Sequence, residues 1–307
     1  MYFMKKYQYK KESAVFKSNL KKLIKNIIPH YFVTKYRKGK KPILKTAFRT
    51  SLSDDLLYPD FCLKASNDVL TFMNFRQNEI YRRILEHVDQ NTGRLYLDEI
   101  ERTRKELLSD IDKIKENDLN GNPDIYDYDI IGKICPSTLR YAKVLADLLN
   151  KFHSLDGLKI VEVGVGYGGQ CRVINSLCKP KEYTLVDIKP ALSLAQCYLD
   201  CYILTSQMKY KTMNELVKED YDLIISNYAF TELRREIQDV YLERIILNSR
   251  CGYITYNDIT PDYFKSYKYD ELLKIIPNSY IVDEVPLTSP LNRIIIWGTP
   301  LSNKTGG

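Results

Sequence analysis

Two carboxylates and a run of glycines stand at spacings that could hold a nucleotide-like ligand. In Val161-Glu162-Val163-Gly164-Val165-Gly166-Tyr167-Gly168-Gly169, Glu162 precedes the first glycine by two residues, and Asp187 closes the next β-type segment. Gly164, Gly166 and Gly168 allow a sharp backbone turn and the close approach of a ligand, because no Cβ stands in the way. Gly164, Gly166 and Gly169 also satisfy the G-x-G-x-x-G spacing of a dinucleotide loop. Ligand chemistry separates the two readings. A pyrophosphate favours bare backbone donors at a helix N-terminus, whereas S-adenosylmethionine (SAM) carries an ammonium and a sulfonium that favour a nearby carboxylate. Glu162 could accept from that ammonium, directly or through water, and Asp187 could take both ribose hydroxyls. Asp187 would suit NAD equally well; Glu162 favours SAM. Gln170 could donate to the SAM carboxylate, and Met213 could help form the adenine pocket.

A second group follows the fourth strand expected in this region, in Ser226-Asn227-Tyr228-Ala229-Phe230-Thr231-Glu232-Leu233. Residues just past the carboxyl end of a strand in an open parallel sheet face the ligand crevice. Tyr228 and Asn227 could orient an acceptor or the cofactor. A hydroxyl acceptor is a poor nucleophile near neutral pH, so a base or a metal must help remove its proton. The chain has three histidines, His30, His87 and His153, and none falls in an expected crevice loop. Glu232, and Asp258 in Tyr256-Asn257-Asp258, are the candidate bases. Glu232 could equally be a helix N-terminal acid that complements the macrodipole. If Glu232, Asp258 and a third oxygen converge, Mg2+ could take the base's place. No His or Cys spacing indicates a zinc site, and the seven scattered cysteines suggest reduced thiols.

The elements that must position these groups emerge from periodicity. Helices are expected over Thr138–Phe152, Gln170–Cys178, Pro190–Tyr202 and Glu232–Asn248. Strands are expected over Lys159–Val163, Tyr183–Asp187, Met208–Thr212, Tyr221–Ser226 and Gly252–Tyr256, with Tyr280–Val285 and Arg293–Trp297 as a closing hairpin. Strands alternating with helices imply an α/β, doubly wound, mostly parallel seven-stranded sheet with a C-terminal antiparallel hairpin. Upstream, residues 63–115 have helical spacing, with one amphipathic helix expected over 72–88 and another over 97–114. The turn-rich Asn117–Pro123 reads as a connector. Three parts follow: a basic arm over 1–50, a helical lid or oligomerisation unit over 51–122, and the α/β domain over 123–307.

The segments Cys135-Pro136-Ser137-Thr138-Leu139-Arg140-Tyr141, Val161 through Gln170, and Ser226 through Leu233 resemble a family of sugar O-methyltransferases encoded with bacterial surface-polysaccharide biosynthesis. The resemblance covers roughly residues 130–260. It implies a class I methyltransferase (Rossmann-like) fold, SAM as cofactor, and methyl transfer to a sugar hydroxyl of a surface glycan or its precursor, which could be lipid-linked. It also implies that the helix bearing Ser137, Thr138 and Tyr141 folds over the cofactor.

Charge distribution bounds the partners. Residues 1–50 hold fifteen Lys and Arg against the single acid Glu12, about +14, so the rest of the chain carries about −7 of the formal +7. Within the arm, residues 17–28 carry apolar side chains at helical spacing between lysines, a pattern that could lie on an anionic membrane surface or pack on the body. No apolar run reaches bilayer-spanning length, which places the expected location in the cytoplasm, peripheral to the inner face of the membrane if the arm binds it. The basic arm also suits nucleic acid, but Asn227-Tyr228-Ala229-Phe230 stands where base-amino methylation usually has Asn/Asp-Pro-Pro-aromatic, so a nucleic-acid partner is disfavoured. A non-catalytic SAM-binding scaffold and a homodimer remain as the other readings.

Overall fold

The computed structural model describes Ser51 and residues 57–298. The basic arm 1–50, with its amphipathic stretch 17–28, lies outside the described residues.

The helical part contains α1 (Leu57–Asn67), α2 (Val69–Met73), α3 (Glu79–Ile84), α4 (Gln90–Arg104) and α5 (Ile111–Lys115). The expected continuous helix over 72–88 is broken twice by asparagine. Asn74 ends α2, and the Asn78 side chain accepts from the Ile80 and Tyr81 amides, starting α3 afresh. The helix expected over 97–114 stops at Arg104, which leaves helical geometry (φ −154°, ψ 54°) and passes into a 3-10 stretch before α5. The expected connector is packed at its start and exposed at Leu119 and Asn122. Asn117 is fully buried, its amide nitrogen 2.8 Å from Thr138 Oγ1 and 3.1 Å from the Tyr167 hydroxyl.

A short hairpin, β1 (Tyr126–Tyr128) and β2 (Gly132–Ile134), leads into α6 (Pro136–Phe152). Pro136 sits in the first turn of α6, where its missing N–H costs nothing. From there strands and helices alternate: β3 (Lys159–Val163), α7 (Gly169–Leu177), β4 (Glu182–Val186), α8 (Lys189–Leu199), β5 (Gln207–Lys211), β6 (Tyr221–Asn227), α9 (Arg235–Arg244), β7 (Ser249–Tyr256), α10 (Tyr269–Ile275), β8 (Tyr280–Asp283) and β9 (Arg293–Trp297). The strand order is β5-β4-β3-β6-β7-β9-β8. The first five of these pair in parallel, and β9 runs antiparallel to both β7 and β8. This is the doubly wound, mostly parallel seven-stranded sheet with a closing antiparallel hairpin that the periodicity implies.

Alternation along β3 assigns its faces. Val161 and Val163 enter a core with Ile224, Ile254, Ile295, Trp297, and Tyr241 and Leu242 of α9, where each fully buried aliphatic side chain stabilises by about 1.5–3 kcal/mol. Glu162 therefore points to the other face. After β3 the chain winds outward through β4 and β5, then returns to the far side of β3 as β6. That reversal opens a crevice at the carboxyl ends of β3 and β6, where open α/β sheets bind ligands.

Candidate active site

The glycine loop leaves β3 at this crevice. Gly164, Gly166 and Gly168 all have positive φ, +78°, +56° and +86°. A Cβ at Gly164 would lie 1.9 Å from the Ala229 Cβ, and one at Gly166 would lie 2.7 Å from Leu85 Cδ1. Glycine is thus required there both for backbone geometry and for close packing of neighbouring segments. Asp187, one residue past β4, holds the loop. Its Oδ2 accepts from the Val165 amide at 2.8 Å and the Gly166 amide at 3.2 Å, and its Oδ1 from the Ile188 amide at 2.7 Å. The carboxylate expected to meet a ribose therefore also builds the loop, and a ribose would share or displace these donors.

Glu162 is buried beneath the loop, on the face shared with Tyr183, whose hydroxyl donates to Glu162 Oε2 at 2.7 Å. Burial pushes the Glu162 carboxyl up to about 8; the tyrosine hydrogen bond opposes this and the Asp187 charge adds to it. Among the described residues Glu162 has no cationic partner, and its second oxygen takes no hydrogen bond.

Gln170, in the first turn of α7, donates to the Tyr141 carbonyl at 3.2 Å and accepts from the Asn227 amide at 3.4 Å. Asn227 thereby joins the glycine-loop helix to a concavity that Tyr228 also lines. Its walls include Tyr96, Arg140, Tyr141, Lys143, Asn227, Tyr228 and Glu284, and its cavity volume is small, about 20 Å³. Tyr228 holds a left-handed backbone (φ +68°) that turns its side chain away from the β6 direction. Its hydroxyl donates to Glu284 Oε1 in a short contact. The other oxygen of Glu284 accepts from the Thr288 amide and hydroxyl, at 2.9 and 2.7 Å, and from Asn292 at 3.1 Å.

The two carboxylates proposed as bases fall elsewhere. Glu232 ends a 3-10 turn and accepts from Asn257 Nδ2 at 2.7 Å; burial raises its pKa against that hydrogen bond. Asp258 pairs with Lys268 at 2.5 Å. Neither lines the concavity. Among the described residues no group of three or more His, Cys, Asp and Glu is placed to hold a metal. Met213 opens the 3-10 turn after β5 and packs, partly buried, against the core next to the crevice. All seven cysteines are free.

The helical part closes over the site. Leu85, just after α3, rests on Gly166, and its carbonyl accepts from Arg140 at 3.2 Å. Behind it the buried Arg76 pairs with Glu86 at 2.8 Å and Asp118 at 3.1 Å, and its guanidinium lies 5.0 Å from the centre of the Tyr167 ring. Ser137, Thr138 and Tyr141 of α6 all face this junction. Thr138 donates to Asp118 at 2.7 Å, and the Tyr141 ring packs edge-on against Tyr167. Sequence reading missed Leu85, Arg140 and Glu284. Arg140 lay inside a quoted motif, but an arginine on an amphipathic helix gives no sign that it faces a cavity.

No protein-family model matches the chain, and no curated protein does. Solved structures do. The magnesium protoporphyrin IX methyltransferase of Synechocystis PCC 6803, solved with S-adenosylhomocysteine (SAH), is 16% identical over 51% of this chain and 80% of its own, with a TM-score of 0.40. The pyocyanin biosynthetic protein PhzM is 15% identical over 53% of this chain and 58% of its own, TM-score 0.36. The mitomycin 7-O-methyltransferase MmcR is 11% identical over 52% and 56%, TM-score 0.35. Among the described residues no helix is long and apolar enough to cross a membrane.

Proposed function

We propose that the chain is a SAM-dependent O-methyltransferase whose acceptor is a sugar hydroxyl of a surface glycan or its precursor. The observation that carries the reading is the left-handed glycine loop at the β3–β6 switch point, flanked by Glu162 with a carboxylate oxygen to spare. A pyrophosphate would gain nothing from that carboxylate; an amino-acid ammonium would. Glu162 would take the ammonium, Asp187 the ribose side, Gln170 the carboxylate and Met213 the adenine side. Bound there, SAM would supply an electrophilic methyl, and transfer to oxygen would return the C–S bonding pair to sulfur.

The protein's own part is alignment, exclusion of water and removal of a proton. Leu85 and the helices behind it shield the loop. At the concavity, the Tyr228 hydroxyl can take the acceptor proton as it passes its own to the Glu284 carboxylate, a relay that leaves the proton on Glu284 and the charge on the acceptor oxygen for attack on the methyl. Glu232 and Asp258 stand off this path. The test is methyl-labelled SAM incubated with the chain and either a glycan-precursor extract or total RNA. Label in the sugar fraction with release of SAH is expected. Label in RNA, or none in either, would refute the proposal.

A further inference from the structure

We propose that the concavity beside Asn227 and Tyr228 receives a carboxylate, and that Arg140 is its counter-ion, so that the acceptor is an acidic sugar of the uronate type. The word acceptor rests on the methyltransferase reading; the carboxylate site does not.

The three buried cations among the described residues each have a carboxylate partner. Arg76 has Glu86 and Asp118, Lys143 has Asp147 at 2.7 Å, and Arg172 has Glu116 at 2.6 Å. Removing a cation from water is costly unless a counter-charge replaces the hydration, and these three obey that rule. Arg140 does not. It is partly buried, it lines the concavity, and among the described residues no carboxylate comes within ion-pair distance of it. Its contacts are the neutral Leu85 carbonyl at 3.2 Å and Tyr141, through a hydrogen bond to the phenol and through the ring face, 5.4 Å from its centre. A guanidinium has five N–H donors in a planar fork, so donors beyond those to Leu85 and Tyr141 are open to a ligand.

The surroundings favour a carboxylate over a neutral group. The phenols of Tyr96, Tyr141 and Tyr228 surround Arg140, and Asn227 adds an amide at the same wall. The negative groups nearby are already committed. Glu284 is engaged by Tyr228, Thr288 and Asn292, and Asp147 by Lys143 and the Tyr253 hydroxyl. The enclosed space at this wall is small, about 20 Å³, so of a uronate only the carboxylate group would enter it, with the sugar ring at the open mouth. Two parallel N–H···O bonds from an arginine fork suit a carboxylate in that space.

Isothermal titration calorimetry of the whole chain with D-glucuronate, D-glucose and D-glucose 6-phosphate tests this, with and without SAH. Glucuronate is expected to bind about tenfold or more tighter than glucose. Arg140→Gln should erase that preference and Arg140→Lys should retain part of it. A merely structural role for Arg140 would lower Tm and leave the ratio unchanged. Equal binding of glucose and glucuronate, binding of neither, tighter binding of the phosphate, or a preference that survives Arg140→Gln would overturn the proposal. If Arg140→Gln fails to fold, the three-ligand comparison on the native chain decides alone. Failure of the methyltransferase reading would show differently, as absent SAH binding with the glucuronate preference intact.

Discussion

Replacing Glu162 by glutamine should make the protein more stable at alkaline pH while weakening its hold on SAM. The folded chain retains the Glu162 proton to about pH 8, whereas an unfolded glutamate releases it near its ordinary value of 4.5. Between these limits folding takes up a proton, so the contribution of this group to stability falls as pH rises from 4.5 and levels off above 8. At about 1.4 kcal/mol per pH unit, that gap corresponds to about 5 kcal/mol. Glu162→Gln is isosteric, keeps an acceptor for the Tyr183 hydroxyl, and does not titrate. Urea denaturation of both proteins at pH 5.5 and pH 9 reads the effect. The advantage of the variant over the native chain should grow by several kcal/mol from the lower to the higher pH. SAH affinity should meanwhile fall roughly 10- to 100-fold, the value of a charge-assisted hydrogen bond. A stability difference that is the same at both pH values would refute the burial argument, and unchanged SAH affinity would refute the role.

Further expectations follow from the same contacts. Gly164→Ala combines a left-handed backbone with a Cβ 1.9 Å from that of Ala229, and should cost about 2–5 kcal/mol in chemical denaturation. Asp187→Asn removes one of the two oxygens that gather three loop amides; it should lower stability by about 1–3 kcal/mol and weaken SAH binding in calorimetry. Arg76→Ala leaves Glu86 and Asp118 unpaired beneath the closing helices, which should cost about 3–5 kcal/mol and expose residues 57–118 to faster hydrogen exchange. Glu284→Gln should lower kcat by about 10²- to 10⁴-fold with SAM affinity unchanged, while Glu232→Gln should leave kcat within about threefold.

The α/β half was legible because the strands from Lys159 onward, β5 (Gln207–Lys211) apart, are short runs with β-branched residues bounded by turn residues, and the glycine loop announces its own conformation. Arg293–Trp297 has the same bounds in sequence and structure. The helical half was less legible because apolar spacing was allowed to override capping chemistry: Asn78 carries the N-cap signal, and its side chain takes two backbone amides that a continuous helix would have used internally. The helix expected over Glu232–Asn248 is present but shorter, Arg235–Arg244, for a related reason. Leu233 and Arg234 turn extended before α9, and Gln238 reaches back to the Phe230 carbonyl at 3.0 Å. In the site, Glu162 and Asp187 could be found because they flank glycines at fixed offsets. Arg140 and Glu284 could not, since 144 residues of chain separate them and only the folded sheet brings both to one wall.

Equilibrium binding of SAH and NAD+ to the purified chain tests the nature of the glycine loop most directly. One SAH per chain, displaced by SAM and indifferent to NAD+, is the result that an ammonium site at Glu162 requires. Saturable NAD+ binding, or no SAH binding at millimolar concentration, would contradict it.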